Sequence, residues 1–470
     1  MAVVLRTDLG GVGSSGPVDV LLSLVHLTDM HVLDASSPAR AEWVELEADD
    51  PAFRPLLHMH RPYDTLTAWA LQAHVEEIRR NPCAPGSDRP YELAVSTGDN
   101  IDNAQRNELD VYLAMVAGGR AVLDAVGSAQ DASTRAFDGV WPFWCPDGSV
   151  PDAWRDRGFP VVADFIARVS SPLESRGFGI PWTSVPGNHD LMRQGTALTN
   201  PAIERIAVGG AKSLVRPVGF STIDPIDLYL AEPEAFSSGA TYLVAAKPDR
   251  RGIDRREWLA AHVERGALGY SYDNVERESC DTVIDTEHIR IVLLDTNHPA
   301  GDYQGSIGLR QLAWLEERLT EVDNEPGRGA ILVSHHGADT LVNERGHDPD
   351  RRLAHDMSSV VHRHGCVVAW LVGHRHINRI EPRPGAGGGF WEITTSSIID
   401  WPSQARAIEV QRHRDGSIEI VSTLLDHRDS PDGLATLHRD LAKSFRTPNI
   451  AARMAGRDID ANVRLALPPR

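Results

Sequence analysis

The sequence is poor in cysteine and lysine and has no long apolar run. Four Cys (Cys83, Cys145, Cys280 and Cys366) are scattered over 470 residues with no C-x-x-C pair. That spacing excludes a zinc ribbon and argues against a disulfide framework, leaving four reduced thiols as the expectation. Lysine occurs 3 times against 44 Arg, and 66 acidic residues outweigh 47 basic ones for a net charge of −19. Such a balance, with no Lys/Arg-rich stripe, argues against stable nucleic-acid binding through phosphate neutralisation. No stretch of about 18 apolar residues is present, so no membrane-spanning helix is expected. Met1–Gly16 shows neither the apolar centre of a leader peptide nor a twin-Arg pair, and a cytoplasmic location is the expectation. There is no internal repeat, and nothing in the sequence fixes an oligomeric state.

What remains is a globular balance, 41% hydrophobic and 24% charged, with 20 His. The length allows two or three ordinary domains or one large domain with insertions. Six short apolar runs stop at polar clusters. Val18–Leu27 leads into Asp29-x-His31, Leu93–Thr97 into Gly98-Asp99-Asn100, and Trp182–Val185 into Gly187-Asn188-His189-Asp190. Ile291–Leu294 leads into Asp295-Thr296-Asn297, Ala330–Val333 into Ser334-His335-His336, and Val367–Val372 into Gly373-His374-x-His376. Short β-branched runs bounded by Gly, Pro and polar turns predict buried strands. Amphipathic helices fit between some of them: Leu66, Trp69, Ala70 and Ala73 after Asp64, and Leu312, Leu315 and Leu319. Alternation of this kind predicts an α/β fold with its site beyond the strand ends.

Residues 34–62, 104–180 and 195–288 read as insertions at that edge. The second of them carries the Trp141, Phe143, Trp144 and Trp154 cluster, as pocket wall or as plain core. Residues 1–18 read as a flexible arm, 19–427 as the main domain, and 428–470 as a charged, helical tail. The runs Trp391–Ile399, Ala407–Gln411 and Ser417–Leu425 read as strands of a second sheet.

The strand-end residues are imidazoles and carboxylates with one amide. Mn, Fe and Zn as divalent ions take that mixture, whereas Ca²⁺ and Mg²⁺ prefer oxygen alone. Seven or eight such groups suit two ions about 3.5–4 Å apart with a shared carboxylate, for which Asp99 is the natural bridge. Each motif alone is weak, since Asp-x-His or Gly-Asp-Asn is usually a turn. Their joint order, each directly after an apolar run, is what points to a site.

This ordered set resembles the calcineurin-like metallophosphoesterase superfamily, nearest to its bacterial class III cyclic-nucleotide-phosphodiesterase-like branch. Leu294-Asp295-Thr296 followed by Gln311-x-x-Trp314-Leu315 resembles that branch as well. The resemblance implies a four-layer α/β/β/α sandwich of two mixed sheets. It implies one metal on Asp29, His31, Asp99 and His376, and a second on Asp99, Asn188, His335 and His374, with His335 preferred to His336. His189, oriented by Asp190, would act on the leaving group, and Arg193, Arg375 and His336 are candidates for substrate contact. The implied reaction is hydrolysis of a small phosphorylated substrate, a phosphodiester before a monoester or pyrophosphate, by a metal-bridging hydroxide. A non-catalytic, metal-stabilised scaffold is the alternative of another class. Asp102 stands where purple acid phosphatases have a metal-binding Tyr, so a coloured Fe(III) site is not expected.

Overall fold

The computed structural model describes residues 3–13, 18–132, 140–220, 223–385 and 387–469. The strands of its two principal sheets begin with β1 (Val4–Arg6), β2 (Val18–Leu27), β3 (Leu93–Ser96), β4 (Trp182–Ser184), β5 (Thr282–Asp285) and β6 (Ile289–Leu293). They continue with β7 (Gly329–Val333), β8 (Val367–Val372), β9 (Arg379–Arg383), β10 (Phe390–Thr394), β11 (Gln404–His413), β12 (Ile418–Asp426) and β13 (Val463–Leu467). The first sheet has the spatial order β1-β13-β12-β11-β2-β3-β4, the second β9-β10-β8-β7-β6-β5. Both are mixed. β2, β3 and β4 run parallel in the first, and β6, β7, β8 and β10 run parallel in the second.

Alternation along the second sheet shows how the layers stack. Ile291 and Leu293, Ile331 and Val333, and Ala369 and Leu371 share a core with Leu22, Leu24, Ile408 and Val410 of the first sheet. Their alternates, Val292, Ala330, Leu332 and Trp370, turn the other way. Side chains of a strand point to opposite faces in turn, so one sheet can feed two cores. On that outer face lie Leu312, Leu315, Leu319 and Val322 of α2 (Leu309–Asp323) and Met357, Val360 and Val361 of α3 (Ala354–Val361). Against the first sheet's core pack α1 (Thr67–Arg80) and α4 (Leu434–Phe445), which also touch each other. The architecture is the α/β arrangement of mixed sheets that the motif order implies.

Several local expectations differ. The runs after Gly389 do not form one sheet: β10 joins the second, while β11 and β12 join the first. The tail is not only helical. After α4 and α5 (Pro448–Ala455), β13 inserts between β1 and β12, because Val463, Leu465 and Leu467 are fully buried within an otherwise charged stretch. Nor are residues 1–18 wholly an arm. Val4–Arg6 pairs with β13, and buried Arg6 donates to the Ile380 carbonyl at 2.6 Å. A three-residue strand beside Gly-rich sequence leaves no periodicity to read. Residues 14–17 of that segment lie outside the described residues. The Trp cluster is core: Trp144 and Trp154 belong to the main apolar cluster, Trp141 and Phe143 to a smaller one.

Candidate metal centre

The parallel strands of both sheets end at the same place, and their loops interlock there. β2 and β3 extend their pairing beyond the sheet, with the Asp29 amide donating to the Gly98 carbonyl at 3.0 Å and the His31 amide to the Asp99 carbonyl at 2.9 Å. The His374 amide crosses from the second sheet to the Asp29 carboxylate at 3.1 Å. The His189 amide donates to Asp99 Oδ1 at 2.8 Å. Gly98 has φ 98°, and a Cβ there would sit 2.5 Å from the Gly187 amide nitrogen, so this crossing requires glycine.

The backbone carries strain at the candidate ligands. Asp29, His31, Asp99, His374 and His376 have φ of 52°, 44°, 51°, 67° and 53°. L-residues are disfavoured in that left-handed region by about 1–2 kcal/mol each. Such strain persists only where surrounding contacts over-determine it, and it clusters at functional sites.

Three imidazoles define the chemistry. His31 Nδ1 lies 3.0 Å from Asp102 Oδ1, His335 Nδ1 2.8 Å from the Thr97 carbonyl, and His376 Nδ1 2.7 Å from Asp400 Oδ2. An acceptor at Nδ1 places the proton there and leaves the Nε2 lone pair facing inward. Yet His335 Nε2 lies 3.1 Å from Asp99 Oδ2, His376 Nε2 3.1 Å from Asp29 Oδ1, and His31 Nε2 3.7 Å from Asp99 Oδ2. A lone pair against a carboxylate oxygen, both buried, needs a cation between them or a second proton. His31 Nε2 and Asn188 Oδ1, both buried, have no hydrogen-bond partner among the described residues. Asn188 is held by its other end, Nδ2 donating to the Gly195 carbonyl at 2.9 Å. An amide oxygen, imidazole nitrogens and carboxylates converging in this way fit a borderline divalent cation.

Electrostatics agree with that fit. Burial disfavours the charged form of His335, but Asp99 outweighs it and raises the group to about 9. His376 is likewise raised to about 9 by Asp29 and Asp400 against burial. Burial, then His336 and His335, push His374 well below its usual value; its Nδ1 lies 3.3 Å from His335 Nε2. Asp99 stays well below the carboxylate range, because the surrounding imidazoles overcome its burial.

Other candidates fall elsewhere. Asp190 does not orient His189: its carboxylate accepts from the Gly187 amide at 2.8 Å and Asn100 Nδ2 at 3.0 Å, tying two loops together. His189 Nδ1 instead lies 3.0 Å from both the Asp102 carbonyl and Asp102 Oδ1. Arg193 is no substrate ligand. Fully buried, it donates to the Asn103 carbonyl and Gln105 Oε1, both at 3.0 Å, and pairs with Glu204. His336 uses both ring nitrogens on protein, Nδ1 2.9 Å from Thr296 Oγ1 and Nε2 3.0 Å from the Tyr303 carbonyl, and burial pushes it to about 3. The deciding difference from His335 is this full occupation. Arg375 does line the cleft above the cluster, about 440 Å³, together with His31, Asp99, Asn188, His189, His374 and His376.

No family model matches the chain. Over 122 residues it is 32% identical to a manganese-dependent ADP-ribose/CDP-alcohol diphosphatase of Xenopus tropicalis, a match covering 24% of this chain and 33% of that protein. Among solved structures, a dimetal phosphatase from Danio rerio aligns over 87% of this chain and 100% of its own, with 13% identity and TM-score 0.40. A 5'-nucleotidase from Candida albicans aligns over 92% and 60%, with 10% identity and TM-score 0.28. The ordered strand-end motifs resemble those of the calcineurin-like metallophosphoesterases, and the chain spans about a third of the length of the curated relative it matches.

Four residues of the candidate site lie outside the motifs. Asp102 joins His31 to His189 and is itself paired with Arg40. Its signal was its place three residues beyond Asp99. Asp400 supports His376 and also accepts from Arg61 at 2.9 Å and the Tyr63 hydroxyl at 2.7 Å. It follows β10, so the strand-end rule applies to it too. His58, 5.4 Å ring to ring from His189 and on the 3-10 helix Pro51–Met59, and Tyr303 on a loop line the cleft without any motif.

Proposed function

We propose that the protein hydrolyses phosphate esters with two divalent transition-metal ions, manganese first among them, in the strand-end cleft. Asp29, His31, Asp99 and His376 would hold one ion, and Asp99, Asn188, His335 and His374 the other. The observation that carries this reading is the set of imidazoles whose Nδ1 is committed while Nε2 faces a buried carboxylate. When bound, such a pair activates a shared water and offsets charge on the phosphoryl oxygens. His189 is favoured in its charged form by Asp99 and Asp102 against burial. Held through Nδ1, it can give its Nε2 proton to the departing oxygen, a contribution of roughly 10²–10⁴-fold.

The name of the Xenopus tropicalis relative favours a diphosphate link. Its phosphorus atoms, like that of a simple diester, each carry two bridging oxygens, so one site chemistry serves both. A scaffold has no use for a cleft-facing imidazole so positioned, which favours an enzyme. No helix among the described residues is long and apolar enough to cross a membrane, and the four cysteines are free, which suits a cytoplasmic location. The test is turnover of bis(4-nitrophenyl) phosphate, 4-nitrophenyl phosphate and ADP-ribose with Mn²⁺. Hydrolysis of at least one, abolished by chelation, is expected; a folded, manganese-loaded sample inert on all three overturns the reading.

A further inference from the structure

The mouth of the cleft carries charge that the chemistry at its floor does not use. Arg54, Arg61, Arg375 and Arg453 line it, and among its described lining residues Asp99 is the one carboxylate. Arg61 is committed to Asp400 by two hydrogen bonds. Arg375 lies 3.6 Å from Asp339, but both are open to water (46% and 32% exposed), a pairing of little strength. Arg54 and Arg453 make no ion pair or side-chain hydrogen bond with any described residue. In a chain of net charge −19, two guanidinium groups without a carboxylate partner and a third only weakly paired, gathered at one opening, mark a place for an anion.

These arginines are displayed by rigid supports. Arg54 stands on a turn (Pro51–Met59) whose Phe53, Leu56 and Met59 are buried in an apolar cluster. Arg453 is on α5, where Ala451 and Met454 face inward. The end of α5 is fastened to the His376 loop, the Asn378 amide donating to the Met454 carbonyl at 2.9 Å. Arg375 lies between the candidate ligands His374 and His376. Three separate segments thus bring a planar, forked donor to one rim, and that fork matches phosphate oxygens in a bidentate way.

We propose that Arg54, Arg375 and Arg453 bind a second, non-transferred phosphoryl group, so that the substrate is a diphosphate diester rather than a simple phosphodiester. The assignment rests on the phosphoesterase reading of the floor and adds to it the residues that select among esters. In the full-length, manganese-loaded protein, the double variant Arg54→Ala/Arg453→Ala should raise KM for ADP-ribose by roughly 10–100-fold, at about tenfold per lost charged contact. Kinetics on bis(4-nitrophenyl) phosphate, which has no second phosphoryl group, should not change. Equal losses on both esters, or none on ADP-ribose, would overturn the assignment.

Calorimetric binding of ADP and AMP separates this claim from the reading beneath it. Wild type should bind ADP at least about tenfold more tightly than AMP, and the double variant should lose that preference. If neither ester is turned over yet the preference is present and disappears with the arginines, the rim stands and the hydrolase reading falls. If turnover is normal and no preference exists, the rim falls alone.

Discussion

At the scale of single residues, the site is a set of imidazoles whose outer nitrogens are already spoken for. Asp102 has the widest reach, holding His31 and His189 while Arg40 keeps its carboxylate well below the usual range despite burial. Asp102→Asn should lower kcat by about 10–100-fold, the usual effect of removing a partner behind a ligand. It should also move the alkaline limb of the pH–rate profile to lower pH, because His189 loses a charge that favours its protonated form. A slower enzyme with an unmoved limb would assign Asp102 to folding alone. His335 and His376, both raised to about 9, set the sign of a second prediction. In the metal-free protein their ion pairs with Asp99 and Asp29 stabilise the fold fully below the unfolded value near 6.5 and are lost as pH rises through 9. Chelated protein should therefore melt at lower temperature at pH 9.5 than at pH 6.5. Manganese affinity should rise over the same interval, since the ion displaces those protons. A pH-independent affinity measured by titration calorimetry would show that these two histidines do not bind it.

At the scale of elements, strands whose carboxyl ends carry polar clusters were readable because burial on both faces makes them continuous apolar runs, and Gly or Pro stops them sharply. Asp29, His31, Asp99, Asn188, His189, His335, His336, His374 and His376 could be named as candidates from that alone, while the choice of His335 over His336 came from the family resemblance. Asp400 could not, because the run from Trp391 to Ile399 conceals that β10 ends at Thr394. Three- and five-residue strands such as β1 and β13 escape periodicity, and they pair with each other across more than 450 residues of chain. The partner of His189 was equally hidden: Asp190 is its neighbour in sequence, but a helical turn points the two side chains apart. β13 nevertheless matters to the fold. Leu465→Ala, at a fully buried position, should destabilise the protein by about 2–5 kcal/mol, whereas Ser444→Ala, at an exposed position of the same tail, should change stability by no more than about 0.5 kcal/mol. Thermal melts of the two variants distinguish a structural tail from an appended one, which would make both substitutions silent.

At the scale of the whole molecule, the two sheets bring candidate ligands to one cleft: Asp29, His31, Asp99 and Asn188 follow strands of the first, His335, His374 and His376 strands of the second. Neither sheet holds a complete set, so site and sandwich form together. The ion should then stabilise the fold by mass action: at 100 times its dissociation constant, Mn²⁺ should add about 2.7 kcal/mol, visible as a higher melting temperature that EDTA reverses. In a molecule of net charge −19, Arg54, Arg375 and Arg453 at the cleft mouth offer an incoming anion a local positive field. The most direct test of this account is a crystal structure of manganese-loaded protein with anomalous data at the Mn edge. The account predicts two anomalous peaks about 3.5–4 Å apart, one beside Asp29, His31 and His376 and one beside Asn188, His335 and His374, with Asp99 between them. A single peak, or none within reach of Asp99, would contradict it.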